Sequence, residues 1–227
     1  MKHGKFLSFG AICFSMIALF SMSSCAKESL KDNQVLEIYE TYDAAQFVPI
    51  LEAVDESTIG LERQFGEMLS GIGEWYGPEV GVAFYNDTAA INAILNTEAV
   101  KAMLPEDLRF AWTAYASSPR SGIYKLIALK TTNGQAAMHG ELLKDVEVEA
   151  DPRMQYAQVT FTFNEQATEQ WAKFTLSNIG RPVALVVEGK VYSYPYVQDQ
   201  ITGGKCQISG PFDEEEALEI AKKLMSK

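Results

Sequence analysis

Apolar and polar residues alternate from Val35 to Glu40, which predicts a first β-strand. Phe47, Ile50, Leu51 and Val54 then recur at helical spacing within residues 44–54, and Ile59, Phe65, Met68 and Leu69 predict a second helix over 59–69. A loop marked by Gly71, Gly73, Gly77 and Pro78 follows. Asp87 is placed to cap a helix over 88–95, and Thr97 another over 98–103 that Pro105 ends. Residues 108–115 and 123–129 predict paired strands, with a turn at Thr131-Thr132-Asn133-Gly134.

The second half has sharper boundaries. Residues 146–148 and 158–163 alternate as strands, and Asn164 opens a helix whose Ala167, Trp171, Phe174, Thr175 and Ile179 share one face. Gly180 and Pro182 stop it. Residues 182–187 form an apolar strand, Glu188-Gly189 a tight hairpin, and residues 190–197 its return. A short strand at 206–208 precedes a last helix opened by Asp213-Glu214-Glu215-Glu216, which buries Ala217, Ile220, Ala221 and Leu224. Helices mixed with hairpin-joined strands predict an α+β fold, an antiparallel or mixed sheet with helices packed on one face.

The first 24 residues change the picture. Lys2 and Lys5 precede an uncharged stretch from Phe6 to Ser24, and Met22-Ser23-Ser24-Cys25 closes it with small residues before a thiol. This pattern predicts an exported chain whose leader, residues 1–24, is removed and whose Cys25 takes a lipid, with residues 25–35 as a polar tether. Membrane contact would then run through that lipid. The alternative is an uncleaved membrane anchor, which the serines in the segment disfavour. The net charge of −11 becomes more negative once Lys2 and Lys5 leave, which argues against nucleic acid and anionic headgroups as partners. With Cys13 in the leader and Cys25 acylated, Cys206 stands alone, so no intrachain disulfide is expected and a small buried thiol fits better than a nucleophile.

The run from Asn178 to Val197, with Ile201-Thr202-Gly203-Gly204, Ile208-Ser209-Gly210, Phe212 and Glu215-Glu216-Ala217 after it, resembles the first periplasmic domain of SecD, a membrane protein that assists the Sec translocon. Glu37 to Tyr42, Asn86 to Ala90 and Val100 to Pro105 are similar to the SecDF fusions of Bacteroidetes. The resemblance implies a base-like region over 36–138, a head-like α+β region over 139–227, and contact with exported polypeptide. It also implies what to miss: the transmembrane bundle and acidic groups tied to proton-driven work in that family have no counterpart in these residues. The chain also ends near where SecD continues back to its base, so a partner chain is one way to complete it.

Chemistry is sparsely signalled. His139 is the one histidine beyond the leader, so a histidine triad or zinc site is not expected, nor is any metal or cofactor. Gly203-Gly204-Lys205-Cys206 lacks the first Gly and the Ser/Thr of a phosphate loop. The acids at 213–216 are explained by helix capping and the helix dipole. Tyr192, Tyr194 and Tyr196 are the feature to weigh. In a regular strand they would share one face, beside Pro195, which cannot donate to a ladder. They either pack as structure or line a surface for extended polypeptide. The expectation is a non-enzymatic envelope lipoprotein that binds exported or unfolded polypeptide or an envelope complex. The alternative is an assembly protein that reuses the fold.

Overall fold

A computed structural model describes residues 35–60, 62–118, 120–150 and 156–226. The expected leader, Cys25 and nearly all of the tether lie outside the described residues. The elements in chain order are β1 (Leu36–Thr41), α1 (Val48–Ser57), α2 (Phe65–Met68), β2 (Glu79–Phe84), α3 (Thr88–Leu95), α4 (Glu98–Lys101), β3 (Leu108–Trp112), β4 (Ile123–Lys130) and β5 (Met138–His139). There follow β6 (Leu143–Ala150), β7 (Ala157–Phe163), α5 (Glu165–Ser177), β8 (Val183–Val187), β9 (Lys190–Ser193), β10 (Lys205–Ser209) and α6 (Glu214–Met225). The α+β class read from the sequence is the class observed.

β1 is the axis of the larger sheet. One edge pairs antiparallel with β8, from Leu36 opposite Val187 to Glu40 opposite Val183. Its other edge meets β5 and then β4. β3 lies on β4, and β9 returns along β8 from the Glu188-Gly189 turn, where both residues have positive φ, as a two-residue hairpin of this hand requires. The sheet then curls until β3 reaches β9. Thr113 bridges Val191 in parallel, and the Ala114 amide donates to the Val191 carbonyl at 2.8 Å.

Alternation along each strand sorts residues between the inside of this curl and two outer cores. Inside sit Tyr39, Ala111, Ile127, Leu129, Ala184, Val186 and Val191. Glu37 also points inward. It is 6% exposed, accepts from the Tyr39 hydroxyl at 2.7 Å, and lies 3.4 Å from the Arg109 guanidinium. One outer core joins Leu36, Ile38, Leu185 and Val187 to the smaller sheet, ordered β10-β7-β6, and to α5 and α6. The other joins Leu126 and Ala128 to α1, α2 and α3.

Local chemistry explains the helices. Asn164 accepts from the Ala167 amide at 2.9 Å. Asp213 and Glu216 form a reciprocal capping box, and Phe212 and Ala217 are both fully buried beside it. Four expectations change. The helix expected over 59–69 shrinks to α2, because Gly60 turns at φ +91° and Thr58 closes the segment by accepting from the Phe65 amide at 2.9 Å. Ile59 is therefore 68% exposed. Asp87 precedes α3 but does not cap it, since its carboxylate is taken by Arg63. Ile179 lies past the end of α5 and is exposed, because the chain turns at Gly180 instead of continuing the helical face. The return strand expected to Val197 stops at Ser193.

Candidate functional site around Tyr196

The early end of β9 separates the three tyrosines. A register shift between Leu185 and Val186 interrupts the pairing of β8 with β9, and Pro195 has no amide to continue it. Tyr192 packs into the outer core beside α6, edge-on to Tyr115 at 5.6 Å. Tyr194 turns to the opposite side and packs against the interior of the curled sheet. The expected shared face is thus absent.

Tyr194 is a structural tie. Its hydroxyl donates to Glu79 Oε1 at 2.8 Å and accepts from Lys125 Nζ at 3.2 Å. The same ammonium donates to Glu79 Oε1 at 3.0 Å and lies 5.6 Å from the Trp75 ring. Burial pushes the Lys125 pKa down, but its hydrogen bonds to Glu79 and Tyr194 outweigh that, and the net shift is upward.

Tyr196 is different. It is 49% exposed, yet the backbone on either side of it, at Pro195 and Val197, is hydrogen-bonded to Gly180, Arg181 and Val183. The Gly180 amide donates to the Val197 carbonyl at 2.8 Å, Val197 to Arg181 at 3.0 Å, and Val183 to Pro195 at 3.1 Å. The ring lies over Gly77, where φ is +76° and a Cβ would come within 2.8 Å of the Tyr196 hydroxyl. Tyr196 forms a wall common to two grooves. The first, about 620 Å³, holds Tyr42, Tyr76, Lys130 and Arg181. The second, about 600 Å³, holds Pro195, Val197, Ile201 and Cys206. Tyr76 is 93% exposed. Lys130 sits 3.3 Å from Glu40 and 6.0 Å from the Tyr42 ring centre, and burial together with the Asp107 hydrogen bond pushes the Tyr42 phenol up to about 12.

Aromatic faces, aliphatic side chains and charges of both signs in shallow grooves suit contact with varied side chains. Burial pushes the Cys206 thiol up to about 12, which keeps it protonated at neutral pH. Among the described residues no group of His, Cys, Asp and Glu could hold a metal ion, and no helix is long and apolar enough to cross a membrane. The sequence pointed to Tyr196, but not to Tyr42, Tyr76 or Arg181. Tyr76 had one usable signal, its position among the glycines of the 71–78 loop.

Comparison with known proteins matches residues 117–226 to the family model for the SecDF P1 head subdomain. The protein translocase subunit SecD of Rhodothermus marinus is 32% identical over 150 residues, 66% of this chain and 24% of that protein. SecD of Acidaminococcus fermentans is 38% identical over 101 residues, 44% of this chain and 24% of its own. The matched stretch therefore spans about a quarter of the length of either relative. A solved structure of SecDF, described as a membrane component that enhances protein export, aligns over 85% of this chain and 62% of its own at 20% identity and a TM-score of 0.42. The chain carries a SecD-like first periplasmic domain.

Proposed function

We propose that this chain is a non-enzymatic module of the cell envelope, tethered through a lipid on Cys25, that holds extended or unfolded polypeptide at the paired grooves beside Tyr196. Residues 139–227 act as the head-like part and residues 36–138 as its base-like support. The observation that carries the reading is Tyr196 itself, an exposed residue whose neighbours Pro195 and Val197 are held by three backbone hydrogen bonds, standing between two grooves of about 600 Å³. A fixed aromatic wall offers contact area at little entropic cost, which suits weak and sequence-tolerant binding. The likeness to protein translocase subunits supports a polypeptide in transit as the ligand. No proton-coupled motor activity is assigned to these residues.

The test is fluorescence anisotropy of a labelled, unfolded secretory protein titrated with the full chain in detergent. Association in the micromolar range, about −8 kcal/mol at 1 μM, is expected. No association up to high micromolar chain overturns the reading. Mass spectrometry of the envelope-extracted protein is expected to find an acylated Cys25 at the amino terminus. An intact, unmodified leader refutes the tether.

A further inference from the structure

β3 pairs with β4 along one edge only. Thr131 donates to the Asp107 carbonyl at 2.8 Å, and Thr113 donates to the Lys125 carbonyl at 2.9 Å. These bonds fix the parity of the antiparallel ladder, so Arg109 and Ala111, like Asp107 and Thr113, direct their backbone groups to β4. Leu108, Phe110 and Trp112 therefore direct theirs outward. The Leu108 amide closes on Pro105, and backbone pairing with β9 begins only at Thr113. Among the described residues, the Phe110 amide and carbonyl meet no backbone partner on that side.

This edge is the floor of a groove of about 820 Å³, which all five residues of β3 line. Leu95 and Leu104 stand on one side, and Gly189 and Lys190 of the β8–β9 turn on the other. A strand residue fills roughly 160 Å³, from about 3.4 Å of rise, 4.8 Å between strands and 10 Å between layers. The groove therefore holds about five residues, the length of the open edge. Phe110 and Trp112 face the helical core, and Arg109 faces the curled interior, its guanidinium 3.8 Å from where a Cβ on Gly189 would stand. A strand laid here would turn alternate side chains to an apolar wall and to the Arg109–Lys190 side. Glu106 and Glu188 also line the groove, but Glu188 is engaged by Lys223 at 2.6 Å and Arg109 by Glu37 at 3.4 Å, which leaves Lys101 and Lys190 against Glu106 and a net positive sign.

We propose that the open edge of β3 takes up, by strand addition, an extended segment of another polypeptide about five residues long that alternates aliphatic and acidic side chains. Unpaired strand edges template such pairing, with the backbone supplying affinity and alternate side chains specificity. A second copy of this chain is a poor occupant, because net charge of −11 on each copy opposes self-association. The inference stands on the ladder geometry and does not need the Tyr196 grooves to bind anything.

The probe is acetyl-Val-Glu-Val-Glu-Val-amide, added to the isotope-labelled full chain, with amide hydrogen exchange followed residue by residue. Without peptide, Phe110 is expected to exchange at least tenfold faster than Ala111. With saturating peptide it slows at least tenfold. N-methylation of the peptide amides in one parity abolishes the effect while the other parity is tolerated, and Val-Lys alternation binds at least tenfold more weakly. Tyr196→Ala leaves all of this unchanged. The proposal is overturned if Phe110 is as protected as Ala111 before peptide is added, since the edge is then already covered. It is equally overturned if millimolar peptide slows nothing, if both N-methylation parities bind alike, or if Tyr196→Ala removes the effect.

Discussion

Trp171 is the largest fully buried side chain of the core beside α5, 2% exposed, with its ring stacked on Phe174 at 5.8 Å and tilted against Phe163 at 5.5 Å. Its indole Nε1 is buried with no hydrogen-bond partner among the described residues. Trp171→Ala leaves a large cavity and is expected to cost about 3–5 kcal/mol, which for a domain of this size lowers Tm by about 10 °C. Trp171→Phe is a different perturbation. It gives up part of the ring contact but also removes a donor whose burial unpaired costs about 1–3 kcal/mol. These changes oppose each other, so the phenylalanine variant should stay within about 1 kcal/mol of the parent. Urea unfolding followed by circular dichroism and by the fluorescence of Trp75 and Trp112 measures both variants. If Trp171→Phe costs as much as Trp171→Ala, the indole N–H is paired and the packing described for this core is wrong.

Three further outcomes are expected. At pH 8 a thiol with a pKa of about 12 is ionised at about 10⁻⁴, against about 10⁻¹ for one at 9.0, so Cys206 should alkylate about 10³-fold more slowly than in the unfolded chain. Because its folded pKa is raised, its contribution to stability is complete below pH 9 and is lost as pH climbs toward 12, and Cys206→Ala should flatten that decline. Asn164→Ala and Asp213→Ala each remove a helix cap and should cost about 1 kcal/mol in denaturant unfolding; no change in either would discount the caps. Gly77→Ala forces a left-handed alanine and pushes the Tyr196 ring, so it should cost about 1–2 kcal/mol and weaken polypeptide binding, and unchanged values of both would refute the contact.

Features written in neighbouring residues were legible in the sequence. The box at Asp213 and Glu216, the cap at Asn164, the Glu188-Gly189 turn and the alternation of β7 each depend on chemistry within a few positions. Features that depend on distant partners were not. Nothing near Thr113 announces Val191, so the curl of the sheet, and with it the burial of Glu37 beside Tyr39 and Arg109, had no local signal. Asp87 has the composition of a cap, but Arg63 claims it from a distant loop. The tyrosine pattern failed for a related reason. Period-2 reasoning requires an unbroken strand, and the register shift at Leu185/Val186, followed by Pro195, breaks it. Of the two readings open for the tyrosines, Tyr192 and Tyr194 pack as structure and Tyr196, beside the turn after α5, is exposed.

The most direct measurement places a photo-crosslinking phenylalanine analogue at position 196 of the full chain in its native envelope, with the same analogue at exposed position 59 as reference. Polypeptides in transit are expected to be captured at 196 at least tenfold more than at 59. Capture equal at the two positions, or absent at 196, would contradict the assignment of these grooves to polypeptide.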